Sequence, residues 1–309
     1  MTEAWRDEAL HLVREGADLY VEQVGPADAP PVLFLHGGPG ASAHAFREFL
    51  GEELERYRMV YLDQRGGGRS YADAPFDLDT LADDVAAVAA ALDLTAVTLL
   101  AHGFGAAVAA RTATRHPQVV RGQVWLNPWL SMPRLARALH GAARSRSGAG
   151  AADGGSGADG SAVADGGSGA DGTAVADDPI DDAAALADAA FALVGAKPLL
   201  DALLFPDPTT RLRLEHAMST VLLGPSESEG LRDPWTVDVV EELDRWRGPV
   251  ALLSSTGDGS SYPEQAEIAL ERLPHARIAL FEGGHHAYAD EPEGWLETLH
   301  AALAFAGAT

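Results

Sequence analysis

The 309-residue chain contains no cysteine and a single lysine, Lys197. Without cysteine it can have no disulfide, no thiolate nucleophile and no metal site built on cysteine ligands. Basic residues are scarce, because 22 Lys and Arg stand against 46 Asp and Glu, for a formal net charge of −24 at pH 7. That charge repels the phosphates of nucleic acid and of anionic membranes, so we expect neither as a partner.

Long apolar runs and a signal sequence are also missing. No stretch approaches the roughly 18 apolar residues of a membrane span, and residues 1–8 are charged and lack the apolar core of a signal peptide. We therefore predict a cytoplasmic protein. The acidic excess resembles proteins of salt-accumulating halophiles; a GC-rich genome is the alternative, but it does not account for the carboxylates.

Short apolar runs alternate with amphipathic stretches along most of the chain. Strands are predicted at residues 11–13, 19–24, 31–35, 58–62, 96–100, 119–126, 249–253 and 276–281, the first two as antiparallel edge strands. Helices are predicted at 43–54, 78–92, 103–115, 263–273 and 293–305. This alternation predicts an α/β fold with a mostly parallel sheet flanked by helices. Ligands bind outside the carboxyl ends of such strands, so glycine-rich turns after strands should meet in one crevice.

A stretch without strands interrupts the alternation. We predict a helical cap at residues 131–235 between two parts of one core, 1–130 and 236–309, with cap helices at 130–142, 182–194 and 209–223 and a link over 198–208. Within the cap, residues from about 143 to 178 are almost entirely Gly, Ala, Ser and Asp. Such a composition buries too little apolar surface to offset its ordering entropy. Deleting residues 148–177 is therefore expected to leave stability nearly unchanged, whereas a large loss would mean that the segment packs. A different class of function is an interaction protein whose working part is this acidic segment.

The acidic segment also contains a repeat, since residues 153–164 recur at 165–176 with one substitution. Its GGSGAD sequence fits the start of a calcium-binding β-roll nonapeptide. However, the period is twelve residues rather than nine, and Ser161 fills the large apolar position. We therefore expect no calcium binding.

The chain is organised around residues 99–107, LLAHGFGAA. Their order predicts a buried strand, a sharp turn of small residues and the start of a helix. This layout is typical of a nucleophile elbow, small-x-Ser-x-Gly, which lifts a serine above a sheet. Ala101 and Gly105 occupy the small positions, but the serine position holds Gly103, which has no attacking atom.

Two glycine-rich motifs, HGGPG at residues 36–40 and DQRGGGRS at 63–70, each follow a predicted strand. Together with the elbow, and in this order, they resemble the signatures of the proline iminopeptidase branch of the α/β-hydrolases over residues 17–129 and 236–304. The resemblance implies an α/β-hydrolase fold with an inserted cap and acyl hydrolysis of the aminopeptidase or esterase type. Backbone N–H groups near Gly37, Gly38 and Phe104 would form the oxyanion hole; the alternative is that the glycines only make tight turns.

The resemblance also implies an acid and a base. Asp258 follows the predicted strand 249–253 and matches the acid position, although the family usually has glycine where Ser255 stands and a loop Asp can simply cap a turn. His285, in FEGGHH at residues 281–286, matches the base, with His286 as a neighbour. The order of nucleophile position, acid and base is that of this fold.

Five residues are candidate substrate contacts: His36, His102, Trp129, Glu215 and His286. The family's cap carries a Trp-x-x-Trp-Glu pattern, and cap carboxylates usually hold the free N-terminal amine of the substrate; the pattern is not found here. Glu215 is the nearest acidic candidate, with a solvated helix residue as the alternative. Trp129 could wall a pocket, although core packing is the more common role of an aromatic residue. Prolyl peptides and generic small esters, amides or short peptides therefore stay open as substrates, and no metal or organic cofactor is implied.

Gly103 decides what activity is expected. Losing the serine of a comparable triad costs about 10⁶ in turnover, or about 8 kcal/mol, while the oxyanion hole and binding can leave roughly 10³ to 10⁴ over water. Three explanations compete. In the first, the protein has lost its nucleophile and now binds a ligand, as N-myc downstream-regulated proteins resemble this fold without its chemistry. In the second, the serine was replaced deliberately to trap a substrate. In the third, Asp258 and His285 activate water in a hydrolase or lyase. The first is slightly favoured, because alanine is the commoner engineered replacement.

Overall fold

The computed structural model of the chain describes residues 5–148, 182–221, 230–290 and 292–309. Most of the predicted acidic insertion, including both copies of the repeat, lies outside the described residues, and so do the predictions made for it. Within the described ranges no single helix is long and apolar enough to cross a membrane; one bent pair, Ala183–Val194 with Ala196–Leu204, meets that test jointly, by length and composition only.

A nine-stranded sheet forms the centre of the molecule. Its strands are β1 Trp5–Arg14, β2 Ala17–Pro26, β3 Pro31–Leu35, β4 Arg58–Leu62, β5 Tyr71–Ala72, β6 Val97–His102, β7 Val120–Leu126, β8 Val250–Ser255 and β9 Ala276–Phe281. The order across the sheet is β1-β2-β4-β3-β6-β7-β8-β9, with β5 paired to β2. The pairs from β4 to β9 are parallel, whereas β2 is antiparallel to its neighbours. The predicted α/β-hydrolase architecture is confirmed in this mostly parallel sheet.

Helices cover both faces of the sheet. They are α1 His44–Leu50, α2 Leu78–Ala91, α3 Gly105–Arg115, α4 Met132–Arg146, α5 Ala183–Val194, α6 Ala196–Leu204, α7 Pro208–Ser219, α8 Glu264–Arg272, α9 Ala287–Asp290 and α10 Trp295–Phe305. Successive side chains of β3 go to opposite faces, as strand geometry requires. Leu33 and Leu35 pack with α2 and α3, while Val32 and Phe34 pack with α1 and α10. Burial on both faces explains why the central strands are continuous apolar runs.

The four helices α4 to α7 lie between β7 and β8 in the chain. Helix α4 packs on α5 and α6, and α7 contacts α1 and α9. Residues of α6 and α7 share a cavity with the turns that follow β3 and β6, so these helices cover the carboxyl ends of the strands. The division into core and cap at residues 131 and 235 stays a prediction.

Several predicted boundaries are wrong. Strand β2 is not an edge strand, because it pairs with β1, β4 and β5. The predicted link over residues 198–208 is helix α6 for most of its length, up to Leu204. Pro198 lies in the first turn of α6, where a missing N–H costs nothing. The predicted helix 43–54 ends as α1 at Leu50 and continues as a 3₁₀ turn, and the four-residue α9 was not predicted.

Candidate active site

The turn after β6 has the backbone of a nucleophile elbow. Gly103 has φ of +52°, a conformation that residues with side chains rarely adopt. Its N–H donates to the Leu126 carbonyl at 3.0 Å, and its carbonyl accepts from the Trp129 N–H at 3.0 Å. A Cβ at Gly105 would lie 2.3 Å from the Leu35 carbonyl oxygen, so the close approach of α3 to β3 requires glycine there.

The direction of the missing side chain is set by this backbone. A Cβ built on Gly103 would lie 2.9 Å from Nε2 of His285 and 3.7 Å from Cα of Gly37. Residue 103 therefore faces the histidine on one side and the HGGPG turn on the other. This is the arrangement in which a side-chain oxygen could pass its proton to a base beside oxyanion donors.

His285 and Asp258 form a buried hydrogen-bonded pair. His285 Nδ1 lies 2.8 Å from Asp258 Oδ2, and both side chains are almost fully buried. Asp258 Oδ1 accepts from the hydroxyl of Ser260 at 2.5 Å and from its N–H at 3.0 Å. Trp129 donates its indole N–H to Ser260 Oγ at 2.9 Å, and its ring stacks on His285 with centroids 4.7 Å apart. With Nδ1–H assigned as the donor to Asp258, Nε2 carries the lone pair that faces residue 103.

Two backbone N–H groups lie in the HGGPG turn and directly after residue 103. Those of Gly38 and Phe104 donate to no acceptor among the described residues. Phe104 directly precedes helix α3, and Gly38 has φ of +117° within the HGGPG turn. Both N–H groups are available for a ligand oxygen, and their role as an oxyanion hole stays a prediction.

Two further histidines adjoin His285. His102 donates from Nε2 to the His285 carbonyl at 2.9 Å. Burial and the nearby His285 lower the pKa of His102 well below its usual value. Burial, His102 and His285 likewise lower the pKa of His286, which lies 3.0 Å from the Tyr288 hydroxyl and stacks on Phe205. Both rings are therefore neutral at pH 7.

His36 has its two ring nitrogens engaged within the protein. Nδ1 donates to the Gly37 carbonyl at 2.7 Å, and Nε2 accepts from the Gln64 N–H at 2.9 Å. The Gln64 side chain returns a hydrogen bond to the His36 carbonyl at 2.7 Å. Burial lowers the pKa of His36. The residue thus joins the turns after β3 and β4, although it also borders the cavity.

Asp63 is a structural centre that the sequence analysis did not single out. Its buried carboxylate accepts from Ser42 Oγ at 2.9 Å, Ala43 N–H at 2.7 Å and Arg69, through Nε at 2.7 Å and N–H at 2.9 Å. Burial opposes ionisation, but the hydrogen bonds and charge of Arg69, with His36, lower the pKa of Asp63 overall. An aspartate directly after a buried strand was the available signal.

Asn127 was also missed. It has φ of +45°, and its side-chain amide donates to the carbonyls of Gly284 at 3.1 Å and His285 at 2.8 Å. Its Oδ1 accepts from the Ser255 N–H at 2.7 Å. Asn127 thereby connects the ends of β7 and β8 to the loop that carries His285.

A cavity of about 420 Å³ is bordered by His285, by Gly37 and Gly38 of the HGGPG turn, and by residues of α6 and α7. All five predicted substrate contacts border it: His36, His102, Trp129, Glu215 and His286. Glu215 is ion-paired, 2.6 Å from Arg211 Nη1 and 3.3 Å from Lys197 Nζ. Two further tryptophans do not border the cavity: Trp125 is buried in the core, and the ring of Trp235 lies near that of Phe191. In the described parts of the chain, no three His, Asp or Glu side chains are grouped to hold a metal ion.

Comparisons with known proteins agree with this fold. A family model for the alpha/beta hydrolase fold matches residues 30–143. The proline iminopeptidase of Xylella fastidiosa is 33% identical over 132 residues, which are 40% of this chain and 42% of that relative. The non-heme chloroperoxidase of Streptomyces lividans is 36% identical over 104 residues, which are 33% of this chain and 37% of that relative. The chain thus spans about two fifths of these relatives.

Solved structures match over much more of the chain. The proline iminopeptidase-related protein of Thermus thermophilus is 34% identical, with 98% of this chain and 100% of that chain covered and a TM-score of 0.79. The proline iminopeptidase of Mycobacterium smegmatis covers 97% of this chain and 98% of its own, with a TM-score of 0.68 but only 18% identity, so it supports the fold alone.

Proposed function

The chain belongs to the proline iminopeptidase-like branch of the α/β-hydrolases, and from this premise we propose that it binds small acyl compounds without forming an acyl-enzyme. One observation carries the proposal: residue 103 has the elbow backbone and faces His285 Nε2, but as glycine it has no atom that can attack. The remaining groups can hold a carbonyl compound, because Gly38 and Phe104 offer N–H groups and the cavity supplies apolar surface.

In an intact site a serine oxygen bonds to the carbonyl carbon while the histidine takes its proton, and the oxyanion develops against backbone N–H groups. The chain keeps a base and donors for such a step but not the oxygen. Removing the serine of a comparable triad costs about 10⁶ in turnover. We therefore expect the chain to bind acyl compounds but to hydrolyse them hardly at all.

The test restores the oxygen. The Gly103→Ser variant is assayed with 4-nitrophenyl esters and aminoacyl arylamides, and we expect turnover at least about 10³-fold above the parent. Gly103→Ala is the matched control, because it places a Cβ on the same backbone without a nucleophile, and Gly103→Ser combined with His285→Ala should return to the parent rate. A folded Gly103→Ser protein with parent-like rates would overturn the proposal.

A second candidate function rests on His285 Nε2, which has no hydrogen-bond partner among the described residues. In this second function, hydrolysis by water, His285 takes a proton from a water molecule as the water oxygen bonds to the substrate carbonyl carbon. The carbon–leaving-group bond then breaks, and the proton passes to the leaving group. Slow hydrolysis by the parent that His285→Gln abolishes would favour this mechanism; hydrolysis unchanged by His285→Gln would exclude it.

A further inference from the structure

The cavity has two chemically different parts. Its buried wall is apolar and aromatic, with Phe34, Phe46 and Leu214 each less than a tenth exposed. The neutral rings of His102 and His286 adjoin this wall. The second part consists of four charged side chains from α6 and α7, which are between about a quarter and two thirds exposed.

These four side chains form a closed ring of alternating charge. Lys197 Nζ lies 3.8 Å from Asp201 and 3.3 Å from Glu215. Arg211 lies 3.6 Å from Asp201, through Nε, and 2.6 Å from Glu215, through Nη1. Each carboxylate therefore faces two cations, and the ring has no net charge.

This ring determines what a ligand amine would meet. Asp201 and Glu215 are the only carboxylates that border the cavity within the described residues. A protonated amine would have to displace Arg211 or Lys197 to reach either of them, and it would add a third cation beside the two already there. An uncharged ligand meets no such competition and gains the apolar wall.

We propose that the cavity selects uncharged acyl compounds with an apolar acyl group, and that Arg211 and Lys197 reject a free amine by neutralising Glu215 and Asp201. This inference rests on the proposed function, since it names the ligand class of the same cavity. It makes the two cations specificity-determining residues, which act through the carboxylates they pair with.

The experiment compares two ligands of nearly the same shape by isothermal titration calorimetry on the full chain at pH 7. L-Proline 4-nitroanilide carries a protonated ring nitrogen, and cyclopentanecarboxylic acid 4-nitroanilide has a CH₂ in its place. We expect the uncharged anilide to bind at least about tenfold more tightly, a difference of about 1.4 kcal/mol.

Variants of Arg211 and Glu215 test whether the charge ring causes this preference. Arg211→Gln should leave Lys197 as the single cation beside Glu215 and Asp201, so that the ring carries a net negative charge and the preference for the uncharged anilide falls about tenfold. Adding Glu215→Gln to that variant should restore the parent preference, because Lys197 and Asp201 then remain as one pair without net charge. Arg134→Gln is the control: it removes one positive charge from an exposed pair with Glu264, away from the cavity, and should leave the preference unchanged.

Outcomes separate the two proposals. Equal or tighter binding of the proline anilide by the parent, or an unchanged preference in Arg211→Gln, overturns the selectivity while leaving the proposed function standing. Failure of the parent to bind either anilide overturns both. The expected preference, lost in Arg211→Gln and regained in the double variant, supports both.

Discussion

Gly103 has the backbone angles of a nucleophile position and no side chain. Its φ of +52° is held by two hydrogen bonds: the Gly103 N–H donates to the Leu126 carbonyl, and the Gly103 carbonyl accepts from the Trp129 N–H. Glycine adopts positive φ without strain, whereas a serine at this position would be strained. A side chain at residue 103 is therefore expected to lower the stability of the fold, whatever it does to activity.

Gly103→Ala is expected to lower the free energy of unfolding by about 1 to 2 kcal/mol, because alanine at positive φ is strained and its Cβ would lie 2.9 Å from His285 Nε2. Urea denaturation measures this. The matched control is Gly141→Ala in α4, where nothing lies within 4 Å of an added Cβ. That change should stabilise by about 0.5 to 1 kcal/mol, since glycine is a poor helix residue. Equal effects at both sites would contradict the strain.

Buried histidines make stability depend on pH. Burial lowers the pKa of His36 and His102 in the folded chain, whereas both titrate near 6.5 when unfolded. Below pH 6.5 the unfolded state binds protons that the folded state does not, so unfolding becomes easier as pH falls.

Urea unfolding between pH 8 and 5.5 should therefore show constant stability above about pH 7.5 and a loss below 6.5, by up to about 1.4 kcal/mol per pH unit for each histidine. His102→Gln should reduce the slope, because one of the buried histidines with a lowered pKa is gone. A stability that rises on acidification through this range would show that the rings are charged in the folded protein.

At the scale of elements, the loops that carry the site depend on side chains that bridge strand ends. Asn127 holds the carboxyl ends of β7 and β8 against the His285 loop through three hydrogen bonds. Asn127→Ala removes these three hydrogen bonds, and within the described structure only the His285 carbonyl keeps another side-chain donor, His102, so we expect a cost of about 2 to 4 kcal/mol. Thr98→Val, which removes a single buried hydrogen bond to Ala306, is the comparison and should cost about 1 kcal/mol. Chemical denaturation that ranks the two variants in the opposite order would contradict this role.

The sequence predicted the elements with strong local signals. β3 and β4 were predicted with their observed bounds, because a buried apolar run between turn residues has little alternative structure. The bounds of the partly exposed edge strand β9 were also predicted. Helix α6 and the four-residue α9 were missed, since Pro198 suggested a loop and one turn of helix has no periodicity to detect. The contacts of Asp63 and Asn127 join segments distant in sequence, and no local pattern specifies such pairings.

At the scale of the whole molecule, strand order brings the predicted site residues together. Gly37 follows β3, Gly103 follows β6 and Asp258 follows β8, and parallel strands place these turns at one edge. The sequence could predict this convergence from the alternation of elements. It could not predict the charge ring on α6 and α7, because that ring depends on how two helices outside the sheet pack.

The net charge of −24 makes a further prediction for the whole molecule. Self-repulsion between carboxylates destabilises the folded state at low salt, and it weakens as the screening length falls from about 30 Å at 0.01 M to about 3 Å at 1 M. We therefore expect the thermal unfolding midpoint to rise with KCl over this range. A midpoint that does not rise would contradict both the repulsion and the resemblance to halophilic proteins.

The central claim is that residue 103 lacks the attacking oxygen while its partners are in place. Intact-protein mass spectrometry after incubation with a fluorophosphonate tests it most directly, because the reagent phosphonylates only a serine activated by a neighbouring base. Gly103→Ser should gain one phosphonyl group, whereas the parent and Gly103→Ser combined with His285→Ala should gain none. A labelled parent, or an unlabelled but folded Gly103→Ser, would contradict the claim.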